Sequence, residues 1–197
     1  MKYFLDFDRT IFDTPAFKRA VAKRRPLKEL WREFKAALAE LLTHRETDSR
    51  RRRFMRTLGT FLSHGRFVFT PDEVNKFLYP DVPAFLAAND CTIVTYGVEA
   101  FIRAKVASAL TDLKVTDVVY TSSKKGPTIR RLSAQKENGP FTYVDDAVFQ
   151  LVSVARYCPD VAIREMRRDG LAGDGRWPVV RSLLDFSGAS SQPLPRA

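Results

Sequence analysis

Short apolar runs that stop at acidic or hydroxyl residues punctuate this chain. The first, Tyr3-Phe4-Leu5, closes in Asp6-Phe7-Asp8-Arg9-Thr10, and residues 2–7 read as a strand. A second, Cys91-Thr92-Ile93-Val94-Thr95, is broken by Tyr96-Gly97. A third lies around Val115–Thr121, a fourth runs Phe141-Thr142-Tyr143-Val144 into Asp145-Asp146, and Val161-Ala162-Ile163 reads as a fifth. Unbroken apolar runs, as opposed to alternating ones, belong to strands buried on both faces, as in parallel sheets. Helical segments separate them: Phe85–Ala88, Phe101–Leu110, Pro127–Leu132 and Ala147–Ala155. Strands alternating with helices predict an α/β fold built on a doubly wound parallel sheet.

Residues 14–80 break this alternation. Pro15 suits a first helical turn. Leu27, Leu30, Trp31, Phe34, Leu38, Leu41 and Leu42 form one helical stripe, and Phe54, Met55, Leu58, Phe61 and Leu62 form another that stops near Gly65. Thr70-Pro71-Asp72-Glu73 opens a further helix with Thr70 as its cap. The segment therefore reads as three or four helices and no strand. Charge sets it apart as well. It carries 16 of the 33 Lys/Arg and 7 of the 23 Asp/Glu, so nearly all of the formal net charge of +10 resides there.

Other features narrow the class. No apolar run approaches the roughly 18–20 residues that cross a membrane, and Asp6 and Asp8 interrupt the N-terminal run too early for a signal peptide. Cys91 and Cys158 are the only cysteines. They read as buried free thiols, which suits a reducing, cytoplasmic setting. The Ser- and Pro-rich tail from Gly188 reads as disordered. The glycines of Asp169-Gly170-Leu171-Ala172-Gly173-Asp174-Gly175 do not open a helix directly after a strand, so they read as a loop. No spacing makes His44 or His64 a metal ligand.

The chemistry gathers at strand ends. Asp6 and Asp8 end the first strand, Thr95 the second, and Asp145 and Asp146 the fourth, while Lys124 and Lys125 precede a helix after the third. Parallel strands bring their carboxyl ends to one rim. Carboxylates crowded there repel one another unless a hard divalent cation such as Mg2+ joins them, and a lysine opposite them suits a phosphate.

In this order and context the four groups resemble the motifs of the haloacid dehalogenase-like (HAD) hydrolase superfamily over essentially residues 1–165. Asp6-Phe7-Asp8-Arg9-Thr10 matches its first motif, Asp-x-Asp-x-Thr. Thr95 matches the second, Lys124 or Lys125 the third (Lys125 better, because Gly126-Pro127 then begins the helix), and Asp145-Asp146 the fourth. The resemblance implies a Rossmann-like core, residues 1–13 and 81–187, with an inserted helical cap, residues 14–80, hinged near Phe12–Thr14 and Tyr79–Pro83. It implies a Mg2+-dependent phosphomonoester hydrolase working through an aspartyl-phosphate. Asp6 would be the nucleophile and Asp8 the acid and base. Thr95 and Lys125 would hold the phosphoryl oxygens. Mg2+ would sit on Asp6, the Asp8 carbonyl, Asp146, and Asp145 directly or through a hydrogen bond. Thr10, Tyr96, Gly97 and Arg9 are the candidate substrate-side positions, with Thr10 placing the loop.

An acid at residue 8 resembles the phosphatase and phosphomutase branches, because the carbon–halogen-cleaving and ion-pumping branches lack it. Arg9 stands where the family commonly has Gly. It reads either as a substrate contact or as a solvated or ion-paired side chain. The basic run Arg50–Arg53 has three readings: a solvated helix face, a surface for a large or polyanionic phosphorylated substrate, or a nucleic-acid contact. Four consecutive residues on a helix point all around it, so all four cannot face one ligand. The chief alternative to a phosphatase is accordingly a regulatory or nucleic-acid-associated binding protein using this basic cap. The expected partner is a phosphorylated small-molecule substrate, not a membrane, and the sequence does not give the oligomeric state.

Overall fold

The computed structural model describes residues 2–24, 35, 69–97, 99–115, 117–135 and 140–186. The two apolar stripes, the Arg50–Arg53 run, His44, His64 and the tail from Gly188 lie outside them. The chain divides into two compact units. One comprises Met1–Ile11, Tyr79–Tyr96 and Leu113–Ala197, and the other Phe12–Leu78 and Gly97–Asp112.

The first unit holds a six-stranded parallel sheet: β1 (Lys2–Leu5), β2 (Asp90–Tyr96), β3 (Asp117–Thr121), β4 (Phe141–Asp145), β5 (Ala162–Met166) and β6 (Val179–Val180). Their order in space is β3-β2-β1-β4-β5-β6. β1 is thus central, with Leu5 level with Ile93 of β2 and Val144 of β4. The α/β parallel architecture expected from the sequence is present, and the helices joining the strands are longer than their apolar cores indicate. β6 is the addition. Two valines are too short a run to register as a strand, yet they pair with Glu165 and Met166.

Alternation along β1 sends neighbouring side chains to opposite faces. Phe4 joins Tyr143, Ile163, Val94, Ile129, Leu151 and Val154 in the main core, stacking on Phe141 at 5.3 Å. Tyr3 points the other way, edge-on to Phe85 at 4.9 Å and to Phe186 at 5.4 Å. Phe85 belongs to α3 (Val82–Ala88) and Phe186 to a terminal 3-10 turn. On the Phe4 side, α5 (Lys125–Gln135) and α6 (Val148–Tyr157) supply Ile129, Leu151 and Val154. These two helices approach so closely at Gly126 that a Cβ there would lie 2.4 Å from the Ser153 carbonyl oxygen. Any side chain would push α5, and Lys125 with it, away from its partner. Cys91 and Cys158 are buried free thiols.

In the second unit, α1 (Thr14–Arg24) is capped by Asp13, whose Oδ1 accepts the Ala16 N–H at 2.9 Å. The short α2 (Pro71–Val74) follows Thr70, whose N–H reaches Glu73 Oε2 at 3.0 Å. Phe17 of α1 packs between Phe12 at 5.3 Å, Phe69 at 5.5 Å and Phe77 at 5.2 Å. The same unit contains α4 (Glu99–Leu110), from which the Lys105 ammonium lies 5.4 Å over the Phe12 ring. Among the described residues, no helix is long and apolar enough to cross a membrane.

Candidate active site

Asp6 is the first residue beyond β1. Its N–H still donates to the Val144 carbonyl at 2.9 Å, and then the backbone leaves the sheet. A helical turn follows, closed by Ile11 N–H to the Phe7 carbonyl at 3.1 Å. Within it Arg9 adopts φ 61°, the left-handed region that favours glycine. Here the departure from the common Gly becomes a conformational matter: the turn keeps its shape and Arg9 bears the strain. Its guanidinium faces Asp146 at 3.8 Å from a mostly exposed position, a screened pair of small value. Arg9→Gly is therefore expected to raise stability by about 1 kcal/mol. The midpoint of chemical denaturation checks this, and an unchanged or lower midpoint would show that the turn carries no strain.

The structure gathers Asp6, Lys125, Asp145 and Asp146. Carboxylate oxygens of Asp6, Asp145 and Asp146 lie within 4.8 Å of one another. The Lys125 ammonium, from the first turn of α5, donates to Asp6 Oδ1 and to Asp145 Oδ2, the latter at 2.7 Å. Lys125 is 1% exposed, whereas Lys124 is exposed. The position of Lys125 follows from its backbone, since its N–H donates to Gln150 Oε1 of α6 at 2.9 Å. Asp145 is held from every side, by Lys125, by the Tyr143 hydroxyl and by the Ala147 N–H at 2.8 Å.

Burial pushes the Asp6 carboxyl well above the usual range. The Lys125 charge opposes this, and the charges of Asp145, Asp146 and Asp8 add to it. Asp146 is pushed up to about 7 by burial and by Asp145, against Arg9 and Lys125. Burial alone would lower Lys125, but Asp145 and Asp6 hold it protonated above the ordinary lysine range. One ammonium thus faces an excess of carboxylate. An oxygen-only donor set with surplus negative charge fits a hard divalent cation, and Asp6, Asp145 and Asp146 are the residues that could hold one.

Asp8 is half-buried, and its charge is felt by both Asp6 and Asp146. Thr95 sits buried near the end of β2, level with Tyr120 of β3. Tyr96 packs edge-on against Phe149 at 5.9 Å. Gly97 follows with φ 152°. Thr10 is buried, its carbonyl is taken by Arg168, and its hydroxyl finds no partner.

Several groups escaped the sequence reading. Tyr143 is one, although a tyrosine two residues before an acid on one strand face is a readable sign. Gln150 is another, since it anchors Lys125 through its oxygen and keeps a buried amide nitrogen without a partner. Glu165 is wholly buried opposite Asp145 in the ladder and accepts the Asp174 N–H at 2.9 Å.

Solved structures share this arrangement of elements. YfnB from Bacillus subtilis, solved bound to magnesium, superposes with a TM-score of 0.58 at 14% identity over 94% of this chain and 96% of that one. The fold is that of the haloacid dehalogenase-like proteins. L-2-haloacid dehalogenase from Xanthobacter autotrophicus, with chloropropionic acid covalently bound, gives 0.57 at 16% identity over 94% and 96%. The HAD-like family protein SP0104 from Streptococcus pneumoniae gives 0.56 at 11% over the same shares. No protein-family model and no curated protein matches the chain. The HAD-like fold accounts for the rim placement of the acidic residues, and the chemistry has to be read from the side chains themselves.

Proposed function

We propose that this chain is a hydrolase of phosphomonoesters that works with Mg2+. The observation that carries this reading is the lysine-held cluster of Asp6, Asp145 and Asp146, with a second acid, Asp8, two residues past Asp6. A departing halide needs no proton, whereas the alkoxide released from a phosphate ester does, and Asp8 would supply one. This separates the proposed reaction from that of the dehalogenase with which the fold is shared.

The Asp6 carboxylate attacks phosphorus, forming an acyl-phosphate bond as the ester P–O bond breaks. Asp8 gives its proton to the leaving oxygen. Asp8, now a carboxylate, takes a proton from water, whose oxygen attacks phosphorus and releases phosphate and free Asp6. Lys125 and Thr95 hold the phosphoryl oxygens as charge builds on them. Asp6, Asp145 and Asp146 would hold the metal, with the Asp8 carbonyl completing the set. Bound there, Mg2+ would neutralise charge on the transferring phosphoryl group.

Purified protein is expected to release phosphate from p-nitrophenyl phosphate with Mg2+ and to lose that activity on chelation, recovering it when Mg2+ is restored. No phosphate release from this ester or from a panel of phosphorylated metabolites would defeat the proposal.

A further inference from the structure

A second buried polar network centres on Arg168, two residues past β5, whose side chain is 9% exposed. Nε and Nη2 both donate to the Thr10 carbonyl, at 3.1 and 2.9 Å. Nη1 donates to Asp81 Oδ2 at 2.7 Å and to the Arg181 carbonyl at 3.3 Å. The guanidinium lies 4.3 Å over the Tyr79 ring. Asp81 Oδ2 also accepts Ser182 Oγ at 2.7 Å and Leu183 N–H at 2.6 Å. One side chain therefore fastens together the loop after β1, the segment entering α3 and the end of β6.

A buried ion pair is a poor device for stability alone, because apolar residues of similar volume often serve as well. What this pair does is geometric. The loop from Asp6 to Thr10 is fixed upstream by the sheet, through Asp6 N–H on Val144. Downstream, the Thr10 hydroxyl has no partner, and the guanidinium takes the Thr10 carbonyl with two donors. A planar fork suits this double bond, and a lysine could not reproduce it. Between the two anchors lie Phe7, Asp8 and Arg9, the last in a strained conformation.

We propose that Arg168 is a positioning residue that sets where the Asp8 carboxyl stands. The inference rests on Asp8 acting as the acid in the proposed phosphatase reaction. It has a signature that general loss of structure lacks: damage to a proton donor depends on how much the leaving group needs the proton. Nitrophenolate leaves readily without one, and an alkoxide does not.

The test compares kcat/KM for p-nitrophenyl phosphate and glycerol 2-phosphate, both with Mg2+, in the full-length protein and in Arg168→Gln and Arg168→Lys. Arg168→Gln is expected to lower kcat/KM for the alkyl ester by about 10- to 100-fold and for the aryl ester only a few-fold. Arg168→Lys should recover part of the difference. Amide hydrogen exchange at Phe7–Ile11 should quicken in both variants. Equal losses on the two esters, or no loss, would overturn the assignment. If Arg168→Gln does not fold, Arg168→Lys is read by the same ratio. If wild-type protein hydrolyses neither ester, the proposed function fails. Exchange at Phe7–Ile11 then decides the role of Arg168 alone: quickened exchange supports a hold on the loop and unchanged exchange refutes it.

Discussion

Asp6→Asn is expected to remove phosphate release from p-nitrophenyl phosphate almost entirely, by about 10^4- to 10^6-fold. An amide oxygen cannot form the acyl-phosphate bond, and Asp6 leaves the end of β1 with its N–H still on the Val144 carbonyl. The variant should nevertheless fold. The site already disfavours charge on Asp6, since burial and three neighbouring acids push its carboxyl upward against a single lysine. Exchanging it for a neutral isostere relieves repulsion with Asp145 and Asp146 while removing one acceptor for Lys125. A thermal melt within a few degrees of wild type, together with lost turnover, is the expected pair of results. Full activity in Asp6→Asn would sink the assignment of the nucleophile.

Lys125→Met should be far more damaging to the fold. Lys125 is buried between Asp6 and Asp145, and removing one partner of such a cluster leaves uncompensated buried charge, typically costing about 3–5 kcal/mol. The lysine is held protonated above its usual range. A group whose folded pKa is raised contributes fully below its unfolded value and is lost only as pH rises through the folded one. The loss on Lys125→Met should therefore be largest from neutral pH up to about 10 and shrink on acidification, as Asp6 and Asp146 take up protons. Millimolar Mg2+ should recover part of the lost stability by restoring positive charge among the acids, without restoring turnover. Denaturant unfolding of both proteins with and without Mg2+ checks this. A variant as stable as wild type would show that the ammonium is not what holds the carboxylates together.

Much of the architecture was legible because its elements are signalled locally. β1, β2 and β4 were apolar runs buried on both faces, and each ran into an acid or hydroxyl at its carboxyl end. The acidic residues were legible because a carboxylate at the end of an apolar run is costly and hence conspicuous. What stayed hidden depends on contacts between distant segments. Lys125 was already favoured over Lys124 by the helix start at Gly126-Pro127, but the Gln150 side chain that anchors its backbone N–H, 25 residues away in sequence, gave no sign. Arg168 looks like an ordinary loop arginine until its acceptor, the Thr10 carbonyl, is seen 158 residues upstream. The left-handed turn at Arg9 was concealed because its usual signal, a glycine, is absent. Glu165 was passed over because it lies beyond Val161–Ile163, the run that reads as the fifth strand, and its burial shows only once the loop carrying Gly173 and Asp174 is found closing over it.

The central place of β1 has a consequence for how the protein is made. β1 leaves the ribosome long before β4, which begins about 135 residues later, a delay of roughly 7–27 s at ordinary elongation rates. Throughout that interval the run Tyr3–Phe7 has at most one of its two sheet neighbours. The segment bearing Asp6 is then a sticky, half-paired edge open to chaperones and to self-association. The acidic residues that end the run, charged while they remain in water, oppose such association until β4 brings Asp145 and Lys125 is drawn in between them. The carboxylates proposed to act on phosphate would thus serve the nascent chain first as a guard against aggregation.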